Sequence, residues 1–278
     1  MTDTTKPSLM GIFAHPDDES FGMAGTMAHA TAAGHPVAIV CATRGEEGQI
    51  ADPALATPET LGQVREWELR HACAAVGVHD VSFLNYIDGH LAEANPDEAT
   101  ERIVFHLRSF RPTVVVTFDP KGGYGHVDHI AIHHLTLAAI VAAADPAYHP
   151  GLGGAPHRVR KVYYVAIPRE FLMEMVREAR SRGQDFVPGG DEATIPVEEM
   201  GTPMAEITTR ITMTDAEFAA KTLSMRAHAT QMPADSPFVN ADPAEMRQRM
   251  GSETLQLQLP PISDGIYPTP EQDIFAGM

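Results

Sequence analysis

Leu9-Met10-Gly11-Ile12-Phe13-Ala14-His15-Pro16-Asp17-Asp18-Glu19 carries an apolar burst of strand length straight into a loop crowded with groups that bind metals or move protons. An alanine-rich segment from Phe21 to Ala33, stopped by Gly34, makes the order strand, loop, helix. The alternation continues: a buried strand over Pro36 to Ala42, a helix from Leu61 to Val76 ending at Gly77, and a third strand over Val81 to Leu84. Asn95-Pro96-Asp97-Glu98 supplies an N-cap, a proline at the first helical position and acids for the helix dipole, opening a helix that Arg111-Pro112 ends after Phe110. Thr113-Val114-Val115-Val116-Thr117-Phe118 is the clearest buried strand, and a helix follows from about Val127 to Ala144.

Four strands separated by helices imply right-handed crossovers, hence a Rossmann-like, mostly parallel α/β sheet with helices on both faces. Residues 1–150 are expected to form this core. Residues 151–278 pack on it as a smaller part that completes the cleft, with an insertion near 185–205, the two making a single enzyme unit. Within that part, Val159 to Ile167 reads as a strand and Glu170 to Arg180 as a helix. The Gly-, Pro- and acid-rich stretch from Asp185 to Ala205 reads as a surface excursion. Thr214-Asp215 caps a last long helix to about Ala229, and Ser252 to Leu259 alternates as an edge strand does.

In such sheets ligands bind beyond the carboxyl ends of the strands, where the strand order reverses. If the first and fourth strands are neighbours there, the loop of His15, Asp17, Asp18 and Glu19 faces Asp119-Pro120-Lys121-Gly122-Gly123-Tyr124-Gly125-His126-Val127-Asp128-His129 across one crevice. Imidazole and carboxylate are ligands zinc accepts, and a catalytic zinc keeps three protein ligands and one open position. His15, Asp18 and one histidine of the second loop meet that count. Helical spacing alone permits His126, His129 or His133, with His133 and His134 fitting better as polar residues on a helix. Zinc lowers the pKa of its water to about 7, and Asp17, beside Asp18, is the natural base. Tyr124 and His126, on a lip formed by the glycines, can both donate to an oxyanion. By periodicity, Arg65-Glu66-Trp67-Glu68 is a solvated helix face and Asp88 a turn aspartate.

The formal charge of −17, from 37 acidic and 20 basic residues, argues against a nucleic-acid partner. The apolar run near the N-terminus is too short for a signal core or a membrane span, and Cys41 and Cys73 read as buried thiols rather than a disulfide framework, so a cytoplasmic location without membrane attachment is expected. A nucleotide or sugar binder is the remote alternative; against it, Gly22 and Gly25 lie inside the first helix and cannot make a pyrophosphate turn.

These residues resemble the LmbE-like, PIG-L type N-acetylglucosaminyl deacetylases. The resemblance rests on Ala14 to Glu19, Gly45-Glu46-Glu47-Gly48, Arg65 with Glu68, Gly125 to His129, and Arg226-Ala227-His228-Ala229-Thr230-Gln231, five landmarks in order. It implies zinc, with Fe2+ as a substitute, held by His15, Asp18 and His129; Asp17 as general base; and His126 as an acid or a stabiliser of the tetrahedral intermediate. It further implies that Tyr124 polarises the acetyl carbonyl and that Arg65 and Asp88 contact substrate. The closest branch is that of the mycothiol-type deacetylase and the thiol-conjugate amidase, from which Lys121 and the 185–205 stretch depart. The expected reaction is removal of the N-acetyl group from a GlcNAc-containing small molecule, with hydrolysis of a larger acyl conjugate as the alternative. The expected partner is a small amino sugar, with homo-oligomerisation left open.

Overall fold

Runs of β-branched and aliphatic residues buried on both faces place the strands at the centre of the molecule. In the computed structural model, which describes residues 6–233, 236, 242–260 and 270–278, β1 (Leu9–Phe13), β2 (Val37–Cys41) and β4 (Val114–Thr117) are buried along their whole length. With β3 (Asp80–Phe83), β5 (Lys161–Val165), β6 (Thr209–Thr212) and β7 (Ser252–Leu259) they form one seven-stranded sheet of order β3-β2-β1-β4-β5-β7-β6. The first five strands are parallel and β7 is antiparallel to both neighbours.

Connections run outward from β1 through α1 (Asp18–Ala32) to β2 and α2 (Leu61–Ala75) to β3, then back through α3 (Pro96–Phe110) to β4 and through α5 (Val127–Ala144) to β5. Right-handed crossovers in opposite directions put α1 and α2 on one face and α3 and α5 on the other. The contacts agree: α7 (Asp215–Ala227), which follows α6 (Arg169–Ser181) in the chain, packs on α1 and α2, and α3 packs on α5. The order reverses between β1 and β4, which pair Leu9 with Val114 through Gly11 with Val116, so the loops after these strands face one another as the sequence pattern requires. Helix α5 is long and apolar enough to cross a membrane, with mean hydropathy 1.5, and half of it is buried against α3 and the sheet.

The caps follow the sequence. The Asn95 side chain accepts from the Asp97 and Glu98 N–H groups, and Thr214 and Glu217 form a reciprocal capping box. Four expectations are corrected. Helix α1 begins at Asp18 instead of Phe21, so Asp18 and Glu19 are its first turn, where the helix dipole favours carboxylates. Strand β7 is interior, because β6, too short to register in the sequence pattern, covers its outer side. The last long helix ends at Ala227, and a further helix, α8 (Pro243–Met250), follows. The Arg65–Glu68 stretch of α2 is split: Trp67 is 60% exposed, but Arg65 and Glu68 are buried.

Helix α1 has a break at Met23 (φ −151°, ψ 15°). The N–H groups of Gly25 and Thr26 donate to Glu253 of β7 at 2.8 and 2.7 Å, and the buried Lys221 ammonium donates to the same carboxylate at 2.5 Å. This interior ion pair thus repairs the kink that aims the first turn of α1 at the cleft. Lys221→Met leaves Glu253 charged and unpaired, at an expected cost of about 3–5 kcal/mol. A lower urea midpoint checks this, and an unchanged midpoint would contradict it.

Candidate active site

The cleft is built from β1, β3, β4 and the helices that follow them. His15 leaves β1, Asp17 and Asp18 open α1, Asp88 lies in the loop after β3, and His129 stands in the first turn of α5. A one-turn helix, α4 (Gly122–Gly125), carries Tyr124 and ends at His126. Gly122, Gly123 and Gly125 all have positive φ, at 63°, 73° and 93°, which lets the loop fold tightly enough to bring Tyr124 and His126 back over His129.

The hydrogen bonds assign the protons. His129 Nδ1 lies 3.2 Å from the Gly122 carbonyl, an acceptor only, so Nδ1 carries the proton and Nε2 presents a lone pair. His15 Nε2 lies between Asp88 Oδ1 at 3.0 Å and Asp128 Oδ2 at 3.3 Å, so its proton sits there and Nδ1 presents a lone pair. Asp18 Oδ2 accepts the backbone N–H groups of Ala14 and His15, leaving Oδ1 3.3 Å from His129 Nε2. His15 Nδ1 and His129 Nε2 are 3.1 Å apart. With His15 neutral, two lone pairs and a carboxylate oxygen therefore converge here, and a cation bound among them would displace the second proton that His15 takes up without one. Donor atoms around a tetrahedral ion with bonds of about 2.0–2.1 Å lie about 3.3 Å apart. The His15–His129 and His129–Asp18 separations match this, the His15 Nδ1–Asp18 Oδ2 separation is longer at 3.8 Å, and the set suits a divalent ion in its donor chemistry.

Burial opposes the charged form of His15, but Asp128 and Asp88 outweigh it and raise its pKa to about 10. Burial would raise Asp18; the His129 and His15 imidazoles reverse this and hold it well below the usual carboxylate range. Asp17 is pushed up to about 6, chiefly by burial, with Arg65 opposing. His126 is lowered to about 4 by burial and then by the His15 and His129 imidazoles. Its Nδ1 accepts the Asp128 N–H at 3.1 Å, so it is neutral with the proton on Nε2. Burial and the neighbouring Asp18 and Asp17 hold the Tyr124 phenol strongly protonated.

All eight residues singled out in the sequence gather here, with some in unexpected positions. Arg65 reaches inward from α2 and donates to the Gly45 carbonyl at 2.8 Å, the Pro16 carbonyl at 2.7 Å and Asp17 Oδ2 at 3.2 Å. Asp88 is no simple turn aspartate, since it holds His15. His133, one helical turn along α5 from His129, donates to the Phe118 carbonyl at 2.9 Å, which satisfies its Nδ1. His126 stays within 4.8 Å of His15 and His129 and faces Glu192 at 3.7 Å through Nε2.

Asp128, to which the sequence pattern alone gives no role, is fully buried and also accepts from Gly89 N and Leu91 N. Its signal was its place between His126 and His129 at the start of a helix. The 185–205 stretch is more than a surface excursion: Thr194 donates to the Gly125 carbonyl, and Gly189 lies so close to the Tyr124 ring that a β-carbon has no room. It covers the glycine turn.

An open doubly wound sheet with two facing loops and a buried histidine–carboxylate donor set defines an α/β protein with a candidate metal site at its switch point. Residues 10–140 match the PIG-L family model, described as GlcNAc-PI de-N-acetylase. The 1D-myo-inositol 2-acetamido-2-deoxy-alpha-D-glucopyranoside deacetylase of Streptomyces avermitilis is 39% identical over 86% of this chain and 87% of that protein. Its counterpart from Geodermatophilus obscurus is 35% identical over 99% of both. The chain belongs to the PIG-L family. The N,N'-diacetylchitobiose deacetylase of Pyrococcus horikoshii shares the fold, with a TM-score of 0.63 at 20% identity over 90% of this chain and 83% of that one.

Proposed function

We propose that this chain is a metal-dependent N-deacetylase that removes the acetyl group from the glucosamine nitrogen of a small GlcNAc-containing molecule, with a GlcNAc-inositol as the first candidate. The observation that carries the reading is the convergence of His15 Nδ1, Asp18 Oδ1 and His129 Nε2 beside Asp17. The two inositol-glycoside deacetylases, similar over most of this chain, support the substrate class. His15, Asp18 and His129 would hold the ion, and their two nitrogens and one oxygen suit zinc, with Fe2+ as a substitute. Bound there, zinc would lower the pKa of a water to about 7 and polarise the acetyl carbonyl.

The other roles belong to the chain itself. Asp17, steadied by Arg65, takes the proton of the attacking water and returns it to the departing amine nitrogen. His126, with Nδ1 already occupied by the Asp128 N–H, acts through its Nε2 proton as a donor to the oxygen on which negative charge develops. The protonated Tyr124 phenol is a second donor on the same side. Asp88 and Asp128 fix the His15 ring so that Nδ1 faces the ion. Residues 151–278 complete the same enzyme unit by covering the Tyr124 turn and continuing the sheet. We place the reaction in the cytoplasm, where free thiols such as the buried Cys41 and Cys73 persist.

Acetate release from a GlcNAc-inositol tests this reading. Treatment with a chelator should abolish the release, and about one equivalent of zinc per chain should restore it. A fully active metal-free preparation would overturn the proposal, and faster cleavage of acyl-cysteinyl glucosamine conjugates would move the substrate assignment to the amidase alternative.

A further inference from the structure

Asp17 sits at φ 119°, ψ −28°, a left-handed conformation that a non-glycine residue holds only when its surroundings fix it. Its backbone N–H donates to Glu19 Oε2 at 3.0 Å. The other oxygen of Glu19 accepts from His228 Nε2 at 2.9 Å, and Ser20 Oγ lies 3.1 Å from the same nitrogen and 2.6 Å from Ser224 Oγ. Glu19 is 1% exposed and His228 fully buried.

His228 caps α7 from the opposite end of the chain, and its segment is itself anchored. Thr230 donates through both N and Oγ1 to the buried Glu68, at 2.8 and 2.6 Å, and Gln231 donates to the Gln49 carbonyl. His228 Nδ1 has no hydrogen-bond partner among the described residues, so the ring meets the site through Nε2, which faces the Glu19 carboxylate and Ser20 Oγ. A continuous path therefore runs from the end of α7 through Glu19 to the backbone from which the Asp17 carboxylate projects.

We infer that His228 is a positioning residue for the reaction: acting through Glu19, it holds the Asp17 backbone in the conformation that aims the carboxylate at the attacking water. The inference rests on the reading of Asp17 as the base. His228 touches neither the ion's ligands nor the substrate side of the cleft, so its loss should misplace the base without releasing metal. Misplacement on the scale of about 1 Å costs up to about 10²-fold in rate.

The test is a double-mutant cycle read as kcat, KM and bound zinc, with His228→Leu and His228→Gln each made in the wild-type and Asp17→Asn backgrounds. His228→Leu is expected to lower kcat by about 10–10²-fold with KM and zinc unchanged. His228→Gln, which keeps a donor for Glu19, should recover most of that loss. In the Asp17→Asn background neither variant should have a further effect, because the group being positioned is already gone. Should the leucine variant not fold, His228→Asn, too short to reach Glu19, carries the same comparison. Full activity of His228→Leu or His228→Asn, loss of zinc in step with activity, or effects that multiply with Asp17→Asn would overturn the inference. Near-normal turnover of Asp17→Asn alone would instead remove the base assignment beneath it.

Discussion

Asp17→Asn is expected to lower kcat by about 10²–10⁴-fold, the usual contribution of a positioned base, while the protein keeps its full complement of metal. Asparagine is the informative substitution because it tolerates the left-handed backbone at φ 119° and still offers an oxygen to Arg65. Fold and metal site are thus preserved and only the proton acceptor is removed. Arg65 gives the change its specificity: three of its contacts converge on Pro16, Asp17 and Gly45, so the base is gripped from behind while 23% of its side chain stays open to the cleft. Steady-state rates with zinc analysis on the same sample check this, and a kcat within a few-fold of wild type would refute the role.

His129→Ala is expected to weaken zinc binding by 10²-fold or more, of order 3 kcal/mol, and to abolish turnover at stoichiometric metal. The alanine removes the lone pair nearest to both remaining ligands, 3.1 Å from His15 Nδ1 and 3.3 Å from Asp18 Oδ1. It also frees the Gly122 carbonyl that fixed the ring, so the glycine turn beneath Tyr124 loses an anchor. Excess zinc should restore part of the rate if the loss is one of affinity. A variant that binds zinc as tightly as wild type would show that the ion sits elsewhere.

The fold was legible where its cause is local or periodic. The apolar bursts of β1 and β4 and the caps at Asn95 and Thr214 are written in a few adjacent residues, and the adjacency of the two loops is what the usual doubly wound strand order leads one to expect. What escaped is held by partners far away in the chain. Strand β6 has four residues and acquires its role only by pairing with β7. Arg65 and Glu68 look solvated by periodicity because their partners, Gly45, Asp17 and Thr230, lie 20 to 162 positions away. Asp128 and His228 stood within recognisable segments, yet their burial, and hence their value as supports, depends on the tertiary contacts with His15 and Glu19. The 185–205 stretch has turn-forming composition, and only its contact with Tyr124 and Gly125 reveals it as part of the cleft.

Three imidazoles, those of His15, His126 and His129, crowd within 4.8 Å, and the proposed chemistry requires their division into two ligands and one donor. Calorimetric titration of zinc into His126→Ala and His129→Ala measures that division directly. His126→Ala should bind one zinc with an affinity within a few-fold of wild type although its turnover falls, whereas His129→Ala should lose about 10²-fold or more in affinity. Equal loss of affinity in the two variants would make His126 a ligand and contradict the assignment.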